Sequence, residues 1–223
     1  MPDYIKKLIA EGEHHMLDFK FEVSDFRKIA RTLVAFSNTD GGRLLIGVKD
    51  NGVIAGVRSE EEYFMIEGAA RMYCKPEVPF KIKEWEVAGK KVVEVTISRG
   101  DKQPYMAMDH EGNWIAYIRQ GDQNLVASHI MLKVWERQKS GKATTIRFRR
   151  AESALLSYLE ANSYITVPQF RRLAGLSVFL AERILVDFIM LGLLKMEHSE
   201  TDVKFSLAPG YQDIIGDLEQ SRS

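Results

Sequence analysis

Apolar and polar residues alternate through "MLDFKFEV" at 16–23, the period-two pattern of a half-buried strand, and the spacing then becomes helical. Ser24 stands where an N-cap belongs, ahead of an apolar face made by Phe26, Ile29, Ala30, Leu33 and Val34. Gly41 and Gly42 are placed to stop that helix with left-handed dihedrals. "RLLIGV" and "VIAGV" flank "KDNG", and Asn-Gly between two apolar runs predicts a hairpin, with Gly47 permitting close backbone packing and Gly52 making the turn. Ser59 and Glu62 have capping-box spacing, which predicts a second helix over 60–73. "PFKIKEWEV" and "KVVEVTIS" read as strands joined at "AGK", and "PYMAM" and "WIAYIRQG" repeat the arrangement around "DHEGN". A helix capped by Ser128 closes this part. The pattern predicts an α+β domain whose strands are mostly hairpin-connected.

Residues 137–145 turn polar, and the periodicity beyond them is helical. "AESALLSYLEANSY" is one helix, "TVPQFRRLAG" a second with Thr166 as its cap and Pro168 in its first turn, and "SVFLAERILVDFIMLGLLK" a third. "MEHSETDVKFSLAP" follows as two short strands around a polar turn. Three helices and a hairpin are the order of a winged helix-turn-helix. The expected division is a first domain over 1–137, a basic linker over 138–147, a winged-helix-like domain over 148–210 and a tail over 211–223.

Composition narrows the function classes. The 223 residues are 45% apolar, and 31 basic residues balance 31 acidic ones, so no global field draws the chain to nucleic acid or membrane. "FIMLGLL" is too short to cross a bilayer, and charge interrupts the first fifteen residues before any signal-peptide core can form. The single cysteine, Cys74, allows no internal disulfide, so a cytoplasmic setting without a membrane partner is expected. Cys74 and the adjacent His14 and His15 are expected to be structural or surface residues.

The charge is unevenly distributed. The stretch 133–150 holds Lys133, Arg137, Lys139, Lys142, Arg147, Arg149 and Arg150 against Glu136 alone. Residues 151–208 carry five basic against seven acidic side chains, the third helix offers only Arg183, and the wing "EHSETD" is acidic. Phosphate contacts need cations, so the stripe is expected to dominate nucleic-acid binding, Arg183 to add little, and the winged helix to serve dimerisation or a protein partner. ATP is not an expected ligand. A phosphate loop needs its glycines around Lys-Ser or Lys-Thr at a helix N-terminus, whereas Gly41 and Gly42 follow a helix, where the dipole opposes phosphate.

Glu13 followed after five positions by Asp18, with Phe19 and Lys20, then "AFSNTDGG", "LLIGVKDNGVIAGV" and "YIRQGDQNLVAS", together resemble the Schlafen AlbA-like domain over residues 8–137. The resemblance implies a small α+β sandwich, strands on one side and helices on the other, that binds DNA or RNA. In eukaryotic Schlafen proteins the related domain is implicated in cutting structured RNA through three carboxylates, and the resemblance implies Glu13, Asp18 and, from the strand region near it, Asp50 for those positions. Such oxygens suit Mg²⁺ or Mn²⁺. Asp18 replaces the glutamate usual at its position, which shortens the reach by one methylene, and Asp50 also suits the "KDNG" turn. Candidate phosphate contacts are Lys20, Arg43, Arg119, Lys139, Lys142, Arg147, Arg149 and Arg150, with an ion pair to a neighbouring acid as the alternative for Lys20 and a plain salt bridge as the alternative for Arg119. The leading expectation is a nucleic-acid-binding transcriptional regulator that requires no cofactor. The alternatives are a divalent-metal ribonuclease and an adaptor that dimerises through the winged helix.

Overall fold

The computed structural model describes residues 2–57, 61–144, 146–199 and 201–220, which fall into two compact units, Met1–Ala127 and Ser128–Ser223. The first contains α1 (Pro2–Glu11), β1 (Leu17–Lys20), α2 (Phe26–Asn38), β2 (Gly42–Ile46), α3 (Glu61–Met72), β3 (Cys74–Lys75), β4 (Phe80–Val87), β5 (Lys90–Ile97), β6 (Met106–Met108), β7 (Trp114–Gln120) and β8 (Gln123–Val126). One sheet has the order β1-β2-β5-β4, the other β3-β6-β7-β8.

The β4–β5 and β6–β7 hairpins form where the alternation placed them. The start of the unit differs from a chain of hairpins. β1 and β2 are parallel neighbours joined through α2, with Leu17 opposite Arg43 and Lys20 opposite Ile46. Both sides of β2 are thus taken, by β1 and β5, so "VIAGV" has no edge to pair with. The "KDNG" turn still closes, with Gly52 N–H donating to Lys49 O at 2.7 Å, but the hairpin shrinks to one bridge between Val48 and Ile54.

Helices cover both faces of the first sheet, not one. α1 lies over Leu17, Phe19, Leu45 and Val92 on one face. α2 and α3 pack with Leu44, Ile46, Val93 and Val95 on the other, in a core that reaches Ala107 and Tyr117 of the second sheet. Every residue of α2 from Thr32 to Asn38 is buried, because this helix meets elements of both sheets. Asn38 fixes its end: Nδ2 donates to Tyr105 O and Tyr117 O at 2.7 and 2.8 Å, and Oδ1 accepts from Tyr105 N–H at 2.8 Å.

The local stops differ by one residue from the sequence reading. Asp25, rather than Ser24, caps α2, accepting from Arg27 N–H at 2.8 Å. Only Gly41 is left-handed, at φ 77°, whereas Gly42 opens β2 and has no room for a side chain, since a Cβ there would sit 2.5 Å from the Phe36 ring. α3 begins where the capping box predicts, although Ser59 lies outside the described residues.

The second unit comprises α4 (His129–Ser140), α5 (Arg150–Ala161), α6 (Val167–Ala174), α7 (Val178–Met190), β9 (Leu194–His198), β10 (Val203–Leu207) and α8 (Tyr211–Gln220). Ser128, Thr166 and Ser177 cap α4, α6 and α7. β9 and β10 pair antiparallel, and Ile165 adds a bridge to Phe205. Leu155, Ile165, Phe170, Leu185, Phe188 and Phe205 fill the core together with Ile130 and Val134 of α4. Those two α4 residues put the division at Ala127, ten residues before the expected one, and Gln138–Ser140 of the expected linker are the last turn of α4.

Candidate functional site

Alternation along β1 sends Leu17 and Phe19 toward α1 and Asp18 toward α2. Asp18 is 4% exposed and meets two cations. Arg119 Nη2 of β7 donates to its Oδ1 at 3.1 Å, and Lys20 Nζ lies 2.8 Å from Oδ2 without hydrogen-bond alignment. Arg119 is itself 2% exposed. Its Nη2 also reaches the carbonyls of His14 and Leu17, its Nη1 donates to Asn124 Oδ1, and the Phe36 ring lies 5.2 Å from its guanidinium. Of the two readings of this arginine, an anionic ligand or a plain salt bridge, the geometry has the second: buried and committed to Asp18 and three other acceptors, it ties β7 to β1.

Glu13 stands beside Asp18 and accepts from Phe19 N–H at 2.9 Å. Its carboxyl is held above the usual range, first by burial and then by the charge and hydrogen bond of Asp18, against the opposing Phe19 N–H. Burial and the neighbouring carboxylate thus favour the protonated form of Glu13 relative to a free glutamate. Asp50 does not join them: it is exposed in the Lys49–Val53 turn. Among the described residues no three His, Cys, Asp or Glu side chains are grouped to hold a metal ion. With Asp18 facing Arg119 and Lys20, the expected three-carboxylate set does not fit a divalent cation.

The sequence reading missed Glu94. It is 4% exposed on β5 and accepts from Tyr4 O–H at 2.7 Å and Trp85 Nε1–H at 2.8 Å, while Arg43 Nε lies 3.2 Å from it. A lone acid in the middle of "KVVEVTI" was the available signal. Arg43 is therefore an ion-pair partner on the α1 side of the sheet. Cys74 is buried, and burial raises its thiol far above the ordinary value.

The remaining expected contacts gather in the second unit. Lys139, Lys142, Arg147, Arg149 and Arg150 are exposed and form no ion pair among the described residues. Lys133 and Arg137, also in the stripe, are bridged to Glu182 at 2.6 Å and Asp187 at 3.3 Å of α7. Two open cavities adjoin these residues. One of about 470 Å³ lies between α4 and α7 and includes Lys133, Arg137, Lys142 and Arg183. The other, about 550 Å³, includes Arg149 and Arg150 at the start of α5, Leu173 to Leu176 at the α6–α7 turn, and again Arg183. Arg183, expected to add little to binding, lines both cavities together with residues of the stripe.

A family model described as Schlafen, AlbA_2 matches residues 13–128. Among solved structures, the DIP2311 protein of Corynebacterium diphtheriae is 18% identical with a TM-score of 0.46, the match covering 92% of this chain and 37% of that one. The chain thus spans little more than a third of that relative. The N-terminal domain of a RecG-related protein from Nitrosomonas europaea is 19% identical with a TM-score of 0.40, over 57% of this chain and 94% of that one. No described helix is long and apolar enough to cross a membrane.

Proposed function

The chain belongs to the Schlafen AlbA_2 family, and from that premise we propose that it binds nucleic acid, chiefly through the cations of the second unit. The observation that carries this reading is the run Lys139, Lys142, Arg147, Arg149 and Arg150, five exposed cations without an ion pair among the described residues. Unpaired cations are what a polyphosphate backbone exchanges for its condensed counterions. Lys20, Arg43 and Arg119 drop out as principal contacts, since each faces a buried carboxylate.

The order α5–α6–α7–β9–β10, with Ile165 bridged to Phe205, supports a winged helix-turn-helix for the second unit. A cytoplasmic transcriptional regulator is the setting that this module and a family domain together suggest. A metal-dependent ribonuclease is not adopted, because its donor set does not assemble.

The test is binding of the intact protein to single-stranded, duplex and hairpin DNA and RNA across a salt series. Replacing Arg147, Arg149 and Arg150 with glutamine should weaken binding and flatten the slope of log K against log salt by about 2 to 3, given roughly 0.7 to 0.9 per phosphate contact. Absence of binding at low salt to every one of these nucleic acids defeats the proposal.

A further inference from the structure

The cavity between α4 and α7 has a composition that phosphate binding alone does not explain. Three residues of α7, Phe179, Arg183 and Val186, follow at spacings of four and three, so they form one stripe along the helix. Lys133 and Arg137 of α4 face that stripe at a spacing of four, and Lys142 stands just beyond the α4 C-cap. The floor is apolar at Val186, the four cations outnumber the single carboxylate of Glu136 along the sides, and Ser140 completes the lining. At one end Phe179 is 65% exposed, and its ring is 5.7 Å from Lys133 Nζ. Glu182 and Asp187 are already bridged by Lys133 and Arg137. Lys142 and Arg183 are exposed and carry no ion pair among the described residues.

An open aromatic face costs free energy in water, and the cations around it disfavour a basic or neutral apolar partner. The ligand that uses both is a flat ring carrying a phosphate. In a duplex the base faces are stacked on one another and unavailable, whereas an unpaired nucleotide offers both its base face and its phosphodiester. A volume of about 470 Å³ lies within the range of nucleotide-sized pockets, roughly 300 to 1,000 Å³.

We propose that this cavity seats an unpaired nucleotide of single-stranded nucleic acid, its base stacked on Phe179 and its phosphate between Lys142 and Arg183. The proposal rests on the nucleic-acid reading above and sharpens it to strand state. The expected contribution of Arg183 is accordingly larger than the charge count of the third helix implied.

The experiment is fluorescence anisotropy of the intact protein with a labelled oligo-dT, an oligo-U and a duplex of equal length. The single strands should bind more tightly than the duplex. Phe179→Ala should weaken single-strand binding about tenfold, within the range for loss of one stacked base, while leaving duplex affinity and the salt slope unchanged. Arg183→Gln should weaken binding and reduce the slope by about 0.7. Phe179→Trp should retain binding and show indole quenching on addition of oligo-dT. Because residue 179 is mostly exposed, these variants should keep the parent's unfolding temperature.

Unchanged single-strand affinity in Phe179→Ala, or an equal loss for duplex, overturns the proposal while leaving the broader nucleic-acid reading standing. Sedimentation showing that Phe179→Ala only converts a dimer to a monomer, with oligonucleotide binding intact, assigns the face to a second copy and likewise overturns it. No binding by the parent protein to any of these nucleic acids overturns both readings.

Discussion

Two carboxylates five residues apart behave oppositely because of what surrounds them. Asp18 balances the buried Arg119 guanidinium, so removing it strands a cation that is 2% exposed. Asp18→Ala should cost about 3 kcal/mol or more in urea unfolding. Burial and Asp18 raise the Glu13 carboxyl, so its charge contributes little, and an amide there still accepts from Phe19 N–H and donates to Asp18; Glu13→Gln should change stability by less than about 0.5 kcal/mol. His198 supplies a pH dependence. It is 6% exposed, shares a 2.9 Å hydrogen bond with Ser128 Oγ, and burial lowers its pKa from 6.5 to about 4. Above pH 6.5 it is neutral folded or unfolded. As pH falls from there toward 4, the unfolded chain takes the proton first, so stability should drop by up to about 3 kcal/mol in that window. Denaturation curves at several pH values should show the drop, and His198→Gln should flatten it. Sequence alone gave a motif containing Glu13 and Asp18 but not their partners, since Arg119 lies about a hundred positions away and only the tertiary fold brings it to Asp18.

At the level of elements, patterns that depend on near neighbours were legible and those that depend on a distant strand were not. The cap of α4 at Ser128, the Thr166 and Pro168 start of α6 and the two hairpins β4–β5 and β6–β7 follow from residues within a few positions of one another. The parallel pairing of β1 with β2 does not, because nothing in "RLLIGV" says which strand will claim its edges. α1 stands outside the elements that the sequence pattern predicts, yet it packs over one face of the first sheet. The glycines show the same divide. Gly41 and Gly89 both have positive φ, 77° and 72°, but a Cβ on Gly41 would sit 2.6 Å from Ile97 O, whereas Gly89 has open space. Gly89→Ala should therefore cost about 1 kcal/mol and Gly41→Ala about 3 kcal/mol, readable as a shift in urea midpoint.

Across the whole molecule, charge neutrality conceals a division. Residues 128–223 hold thirteen basic and eleven acidic side chains, so the unit excess is basic even though 151–208 taken alone is acidic. The difference is α4 and the segment after it, which join the second unit because Ile130 and Val134 complete its core. A boundary drawn from composition at residue 137 could not find this, since a helix that ends in polar residues resembles the start of a linker. Within the first unit, the burial of α2 against elements of both sheets, secured at its end by Asn38, has a kinetic consequence. Parting either sheet from the helix exposes part of the one core that both share, so a half-open form is costly. Amides of β5 and β7 should exchange with deuterium through one shared opening event, at the same free energy, and Asn38→Ala should speed both together.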